Sequence, residues 1–99
     1  MVRLNWTEQS VEDLNSIAEY IARDSSKYAK LQIKRIQFRA RQLKNQPQSG
    51  RIVPETNDPS IKELIIGNYR IVYKIRSKSR IDILTIHHSA RLLKPEALK

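Results

Sequence analysis

Cysteine is absent from the 99-residue sequence, which excludes a disulfide framework and a thiolate metal site and makes the cytoplasm the expected compartment. Backbone breakers are scarce, with two glycines and four prolines, so long disordered or low-complexity stretches are not expected. No apolar run is long enough to cross a membrane. The N-terminus, Met1-Val2-Arg3-Leu4-Asn5-Trp6-Thr7-Glu8, enters a charged amphipathic segment without the apolar core of a signal peptide. A chain of this length buries one modest core, so residues 1–99 are expected to form one domain with no membrane contact.

Acidic residues are missing from the middle third. The formal charge is +9, from 19 Lys and Arg against 10 Asp and Glu, and it is distributed unevenly. Residues 1–24 carry two bases and five acids, residues 25–54 eight bases and no acid, and residues 55–99 nine bases and five acids. A stretch of eight like charges repels itself, and it points to a polyanion or an acidic protein as counterpart; the alternative is a soluble basic surface.

What is present is regular patterning. Val2, Leu4 and Trp6 alternate with Arg3 and Asn5, which predicts a short first strand. Val11, Leu14, Ile17, Ala18 and Ile21 then share one side of a helix, with Thr7 or Ser10 available as N-cap. Ala29, Ile33, Ile36, Ala40 and Leu43 repeat at steps of four and three, so residues 7–46 predict an antiparallel helical hairpin broken at Asp24-Ser25-Ser26. Three runs rich in β-branched and aromatic residues follow: 61–66, 69–76 and 80–87. Gly67-Asn68 suits a type II′ turn between the first two. The fold class is therefore α+β: an N-terminal strand, a helical hairpin, and a three-stranded antiparallel meander in a sheet of about four strands. On the central strand Tyr69, Ile71, Tyr73 and Ile75 are expected to face the helices, leaving Arg70, Val72, Lys74 and Arg76 on an open basic face.

Several segments, in their order and spacing, resemble the ParE/RelE toxin family of type II toxin–antitoxin systems. They are Trp6-Thr7, Glu12-Asp13-Leu14 with Ile17 and Tyr20-Ile21, Pro47-Gln48-Ser49-Gly50-Arg51, Lys62-Glu63-Leu64, Gly67-Asn68-Tyr69-Arg70-Ile71-Val72-Tyr73, and His88-Ser89-Ala90-Arg91. The resemblance implies a toxin that inhibits growth, stabilises plasmids and is neutralised by a cognate antitoxin. Two targets go with the scaffold: members similar to ParE poison DNA gyrase, whereas members similar to RelE cleave messenger RNA on the ribosome.

Metal-independent RNA cleavage needs a base for the 2′-hydroxyl, a cation for the phosphate and an acid for the leaving oxygen. The resemblance makes Arg70, His88 and Arg91 the candidate catalytic set, with structural roles as the alternative: a surface arginine for Arg70, a strand cap for a histidine. His87 and His88 are adjacent on a strand and point to opposite faces, so they do not chelate one metal; no metal or cofactor is expected. The tail Leu92-Leu93-Lys94-Pro95-Glu96-Ala97-Leu98-Lys99 lacks the aromatic acid–base residue of many RelE-like nucleases, and Lys62-Glu63-Leu64 has the ParE-like arrangement. These departures favour a gyrase-directed toxin without enzymatic activity over an endoribonuclease. Arg70, Lys74 and Arg76 then form the expected target surface. Leu31 and Phe38, seven residues apart and flanked by Lys27, Lys34 and Arg41, form the expected docking strip for an antitoxin, or for the toxin's own target, unless Leu92, Leu93 and Leu98 cover it. Tyr20 and Tyr28 are expected to be packing residues. A general nucleic-acid-binding module is the third reading; it predicts salt-sensitive duplex binding without toxicity.

Overall fold

A computed structural model describes residues 2–88. Its elements are β1 (Arg3–Trp6), α1 (Glu8–Ala22), α2 (Ser26–Gln42), β2 (Arg51–Ile52), β3 (Ile61–Ile66), β4 (Tyr69–Ser77) and β5 (Arg80–His88). This is the α+β arrangement expected, with β2 as a two-residue addition at one edge. The sheet order is β1-β5-β4-β3-β2. The last three strands form an antiparallel meander, while β1 runs parallel to β5 beside Arg80–Ile83. Gly67 has φ of 56° and Asn68 no positive φ, as a type II′ turn between β3 and β4 requires.

Local chemistry sets the helix ends. The Thr7 hydroxyl accepts the Ser10 amide at 3.2 Å, and Ser25 accepts the Tyr28 amide at 3.0 Å, so each helix satisfies one of its orphan donors by an N-cap worth about 1 kcal/mol. Ser10 is buried one turn in, and its hydroxyl donates back to the Thr7 carbonyl. Arg39 and Arg41 lie in the last turn of α2, where the helix dipole favours cations.

The main core lies between the hairpin and the sheet. Ile36 and Ala40 of α2 and Leu43 at its C-cap meet Leu64, Ile71, Tyr73, Ile81 and Ile83, all nearly or wholly buried. Helix α1 contributes less: Leu14 and Ile17 are half-buried, and Val11, expected in the seam, is 43% exposed. Tyr73 is wholly buried, and its phenol is satisfied twice, donating to the Pro47 carbonyl at 2.8 Å and accepting the Gly50 amide at 3.0 Å. Burial pushes that phenol above its ordinary pKa, against the Gly50 hydrogen bond.

Gly50 is required by proximity rather than by backbone angle. A Cβ there would stand 2.6 Å from both the Glu63 carbonyl oxygen and the Tyr73 hydroxyl. Gly50→Ala is therefore expected to destabilise the fold by about 1–3 kcal/mol, read from the urea midpoint, because backbone must move to admit the methyl.

The opposite face of the sheet is not open. Val53, whose amide donates to the Ile61 carbonyl at 3.3 Å along the edge of β3, packs with Ile61, Val72 and Leu84 in a second apolar cluster. The expected basic face is thus corrected: Arg70 and Val72 are buried there, and Glu55 and Asp58 of the loop before β3 reach Arg70 and Lys74. Strand alternation identified which residues share that face but not the loop that reaches them.

Candidate functional site

Three sets of polar groups stand out, and each is built from the strands upward. The first surrounds Arg70. Its side chain is 6% exposed, and its guanidinium donates to Glu63 at 2.8 Å and to Glu55 at 2.5 Å. Glu63, on the neighbouring strand, is wholly buried and also accepts Arg51 Nε at 2.7 Å. The Glu55 hydrogen bond, aided by Glu63 and opposed by burial, holds the guanidinium above its ordinary pKa. Arg70 was expected on an accessible surface; it is instead the cation of a buried network. The physical reason is register: Ile65, not Glu63, pairs directly with Arg70, yet Glu63 lies two residues along on the same face. Glu55, from the covering loop, closes the network and carried no periodic signal in the sequence.

The second set lies at the far end of the same face. Asp82 is buried and accepts Arg76 Nε at 2.8 Å, Arg80 Nε at 3.0 Å and Asn5 Nδ2 at 3.2 Å. Burial raises its pKa, but the hydrogen bonds from Arg76, Arg80 and Asn5 outweigh it, and the net shift is below the ordinary value of 3.8. A depressed carboxylate contributes stability above its unfolded pKa and loses it as pH falls through the folded one. Asp82→Asn is therefore expected to cost about 1–2 kcal/mol at pH 7. That difference from the parent should shrink as the pH drops below 3.8, which urea titrations at pH 7 and under acid would show. Lys74 has Asp58 at 4.0 Å. Of the expected target surface, Arg70 is sequestered, Arg76 is paired and Lys74 is half-buried.

The third set binds α1 to the edge of β5. Asp13 accepts the Ile86 amide at 3.0 Å, the Thr85 hydroxyl at 2.5 Å and Gln9 Nε2 at 2.9 Å. With its proton committed to that carboxylate, the Thr85 hydroxyl accepts from His87 Nε2 at 3.0 Å. His87 is also the residue opposite Arg70, whereas His88 is opposite Tyr69 and meets its ring edge-on at 5.8 Å. Opposed residues share a face. The pairing of Arg70 with His88 in one catalytic set is thus corrected, since His88 turns toward the helical side. Arg91, the third member, lies outside the described residues, as do Leu92, Leu93 and Leu98. A cleft of about 410 Å³ between α1 and the sheet is lined by Ser16, Tyr20, Tyr69 and both histidines. Tyr20 and Tyr28, expected to be packed, are 66% and 49% exposed. Burial, then Tyr20 and Tyr28, raises the pKa of Tyr69.

On the outer side of the hairpin, Leu31 is 47% and Phe38 56% exposed, and Lys34 and Arg41 beside them are exposed too. Among the described residues no group of His, Asp and Glu has metal-binding geometry, and no helix is long and apolar enough to cross a membrane.

Residues 4–93 match the family model described as the ParE toxin of the type II toxin–antitoxin system parDE. No curated protein matches the chain. A solved structure of the chromosomal ParDE toxin–antitoxin system from P. aeruginosa superposes with a TM-score of 0.73 at 22% identity, covering 89% of this chain and 96% of that one.

Proposed function

Because the chain belongs to the ParE toxin family of type II toxin–antitoxin systems, we propose that it is a growth-inhibiting toxin that acts on DNA gyrase by binding, with no catalysis of its own. The observation that carries this reading is the state of Arg70. A phosphate-holding arginine must present its guanidinium to the substrate, and this one spends it on Glu55 and Glu63 inside the protein. His87 is engaged by Thr85, and His88 is paired with Tyr69 rather than with Arg70. The described residues therefore support a binding surface rather than a nuclease centre.

The cognate antitoxin is the second partner. The strip of Leu31 and Phe38 flanked by Lys34 and Arg41 has the chemistry to receive an acidic amphipathic segment, with apolar anchors in a cationic frame. In a supercoiling assay the purified toxin should inhibit gyrase and give gyrase-linked DNA breaks, and the antitoxin should relieve both effects. Unimpaired supercoiling combined with codon-specific cuts in primer extension on translating ribosomes would refute the reading in favour of an endoribonuclease.

A further inference from the structure

The outer face of the hairpin separates its charges by helix. Within Glu8–Ala22 there are four acids and no base, and within Ser26–Gln42 six bases and no acid. Glu8, Glu12 and Glu19 are all exposed, and their spacings of four and seven put them on one stripe of α1. Lys30, Lys34 and Arg41, also exposed, repeat the same spacings along α2. Among the described residues no salt bridge joins these six side chains to one another or to any other group. Between the stripes runs a groove of about 520 Å³ with a floor of Ala18, Ala22, Ala29 and Ile33 and with Glu19 and Lys30 on its rims.

We infer that this face is a self-complementary surface for a second copy of the chain. A two-fold axis parallel to the hairpin lays α1 of one copy over α2 of its partner and, by symmetry, the reverse. The overlying helices are antiparallel, because α1 and α2 are antiparallel within each copy. Glu19 and Lys30 face one another across the groove, so the rotation sets Glu19 of each copy above Lys30 of the other. Eleven residues away on each helix, about 16 Å, Glu8 is set above Arg41 in the same way. The two apolar floors face one another between the two rows of ion pairs. The two signs on one face discriminate between occupants. A uniformly acidic helix in the groove gains from Lys30 and Lys34 but is repelled by Glu12 and Glu19, whereas a second copy satisfies both rims. The antitoxin strip of Leu31 and Phe38 borders this surface and shares Lys34 and Arg41 with it, so antitoxin binding and self-association exclude one another.

A charge-swap experiment on the antitoxin-free full chain tests this independently of the gyrase reading. Sedimentation equilibrium at low salt should show a dimer that weakens as salt is added. Glu19→Lys and Lys30→Glu, both at exposed positions and both expected to keep the parent circular dichroism spectrum, should each raise the dimer dissociation constant about tenfold or more, since each turns two symmetric attractions into repulsions. An equimolar mixture of the two variants should recover the parent affinity, because only the mixed dimer pairs opposite charges. The Glu8→Lys and Arg41→Glu pair should repeat the result. A monomeric parent, single variants that dimerise as well as the parent, or a mixture that stays monomeric would each overturn the inference.

Discussion

Arg70→Met is expected to lower the stability of the protein by about 3–5 kcal/mol, because it leaves Glu55 without its cation and the buried Glu63 with only the exposed Arg51. Glu63 is wholly buried and Glu55 is 18% exposed, so neither recovers in water what it loses in the ion pair. Against a typical total of about 5–15 kcal/mol, that loss puts the variant near the unfolding threshold at growth temperature. Chemical unfolding would measure it. Arg70→Met combined with Glu63→Met should be less destabilised than the sum of the two single variants, since the double change removes the more deeply buried of the two carboxylates together with their shared cation. Function should follow the folded fraction. At low temperature the folded Arg70→Met protein should still inhibit gyrase, and loss of inhibition with folding intact would place Arg70 in the target contact after all.

The same residue shows how far the sequence could be read. Alternation along Tyr69–Arg76 correctly assigned faces: Ile71 and Tyr73 are in the core under the helices, and Arg70 and Val72 are on the other side. It did not reveal that the other side is covered, because the cover is a loop. Val53 and Glu55 have no periodicity, and their role depends on the path of the loop before β3. The hairpin was legible for a related reason. Of the α2 seam, Ala29, Ile36, Ala40 and Leu43 are buried as its spacing required, while Ile33 is half-buried and lines the outer groove. The α1 seam was less so, since Val11 is 43% exposed and Leu14 and Ile17 are only half-buried. Parity warned that only one histidine shares a face with Arg70, but choosing between them needed the register of β4 against β5, including the shift after Val72. Charge segregation was visible in outline as an acid-free middle third. Its partner, the acidic stripe of α1, emerged only when the helices were set side by side.

Asp13→Ala should be the second severe substitution, costing about 2–4 kcal/mol through the loss of two hydrogen bonds to a charged acceptor. The Ile86 amide and the Thr85 hydroxyl belong to residues 3% and 0% exposed, so water does not replace the carboxylate. The position matters because β1 pairs with β5 along Arg80–Ile83, and among the described residues no strand pairs with the remainder of that edge. Thr7 covers its first part by donating to the carbonyls of Ile83 and Leu84, and Asp13 covers the next. Helix α1 buries only Ser10 fully, so it depends on this polar seam more than α2 depends on its own. Removing Asp13 should therefore loosen the helix and expose a strand edge together, and an exposed edge pairs with other chains. The expected result is a lower urea midpoint, faster hydrogen exchange at the Ile86 amide, and aggregation that rises with protein concentration. Asp13→Asn retains a carbonyl acceptor and should lose roughly half as much. An Ile86 amide that exchanges as slowly in Asp13→Ala as in the parent would show that the edge is guarded by something other than this carboxylate.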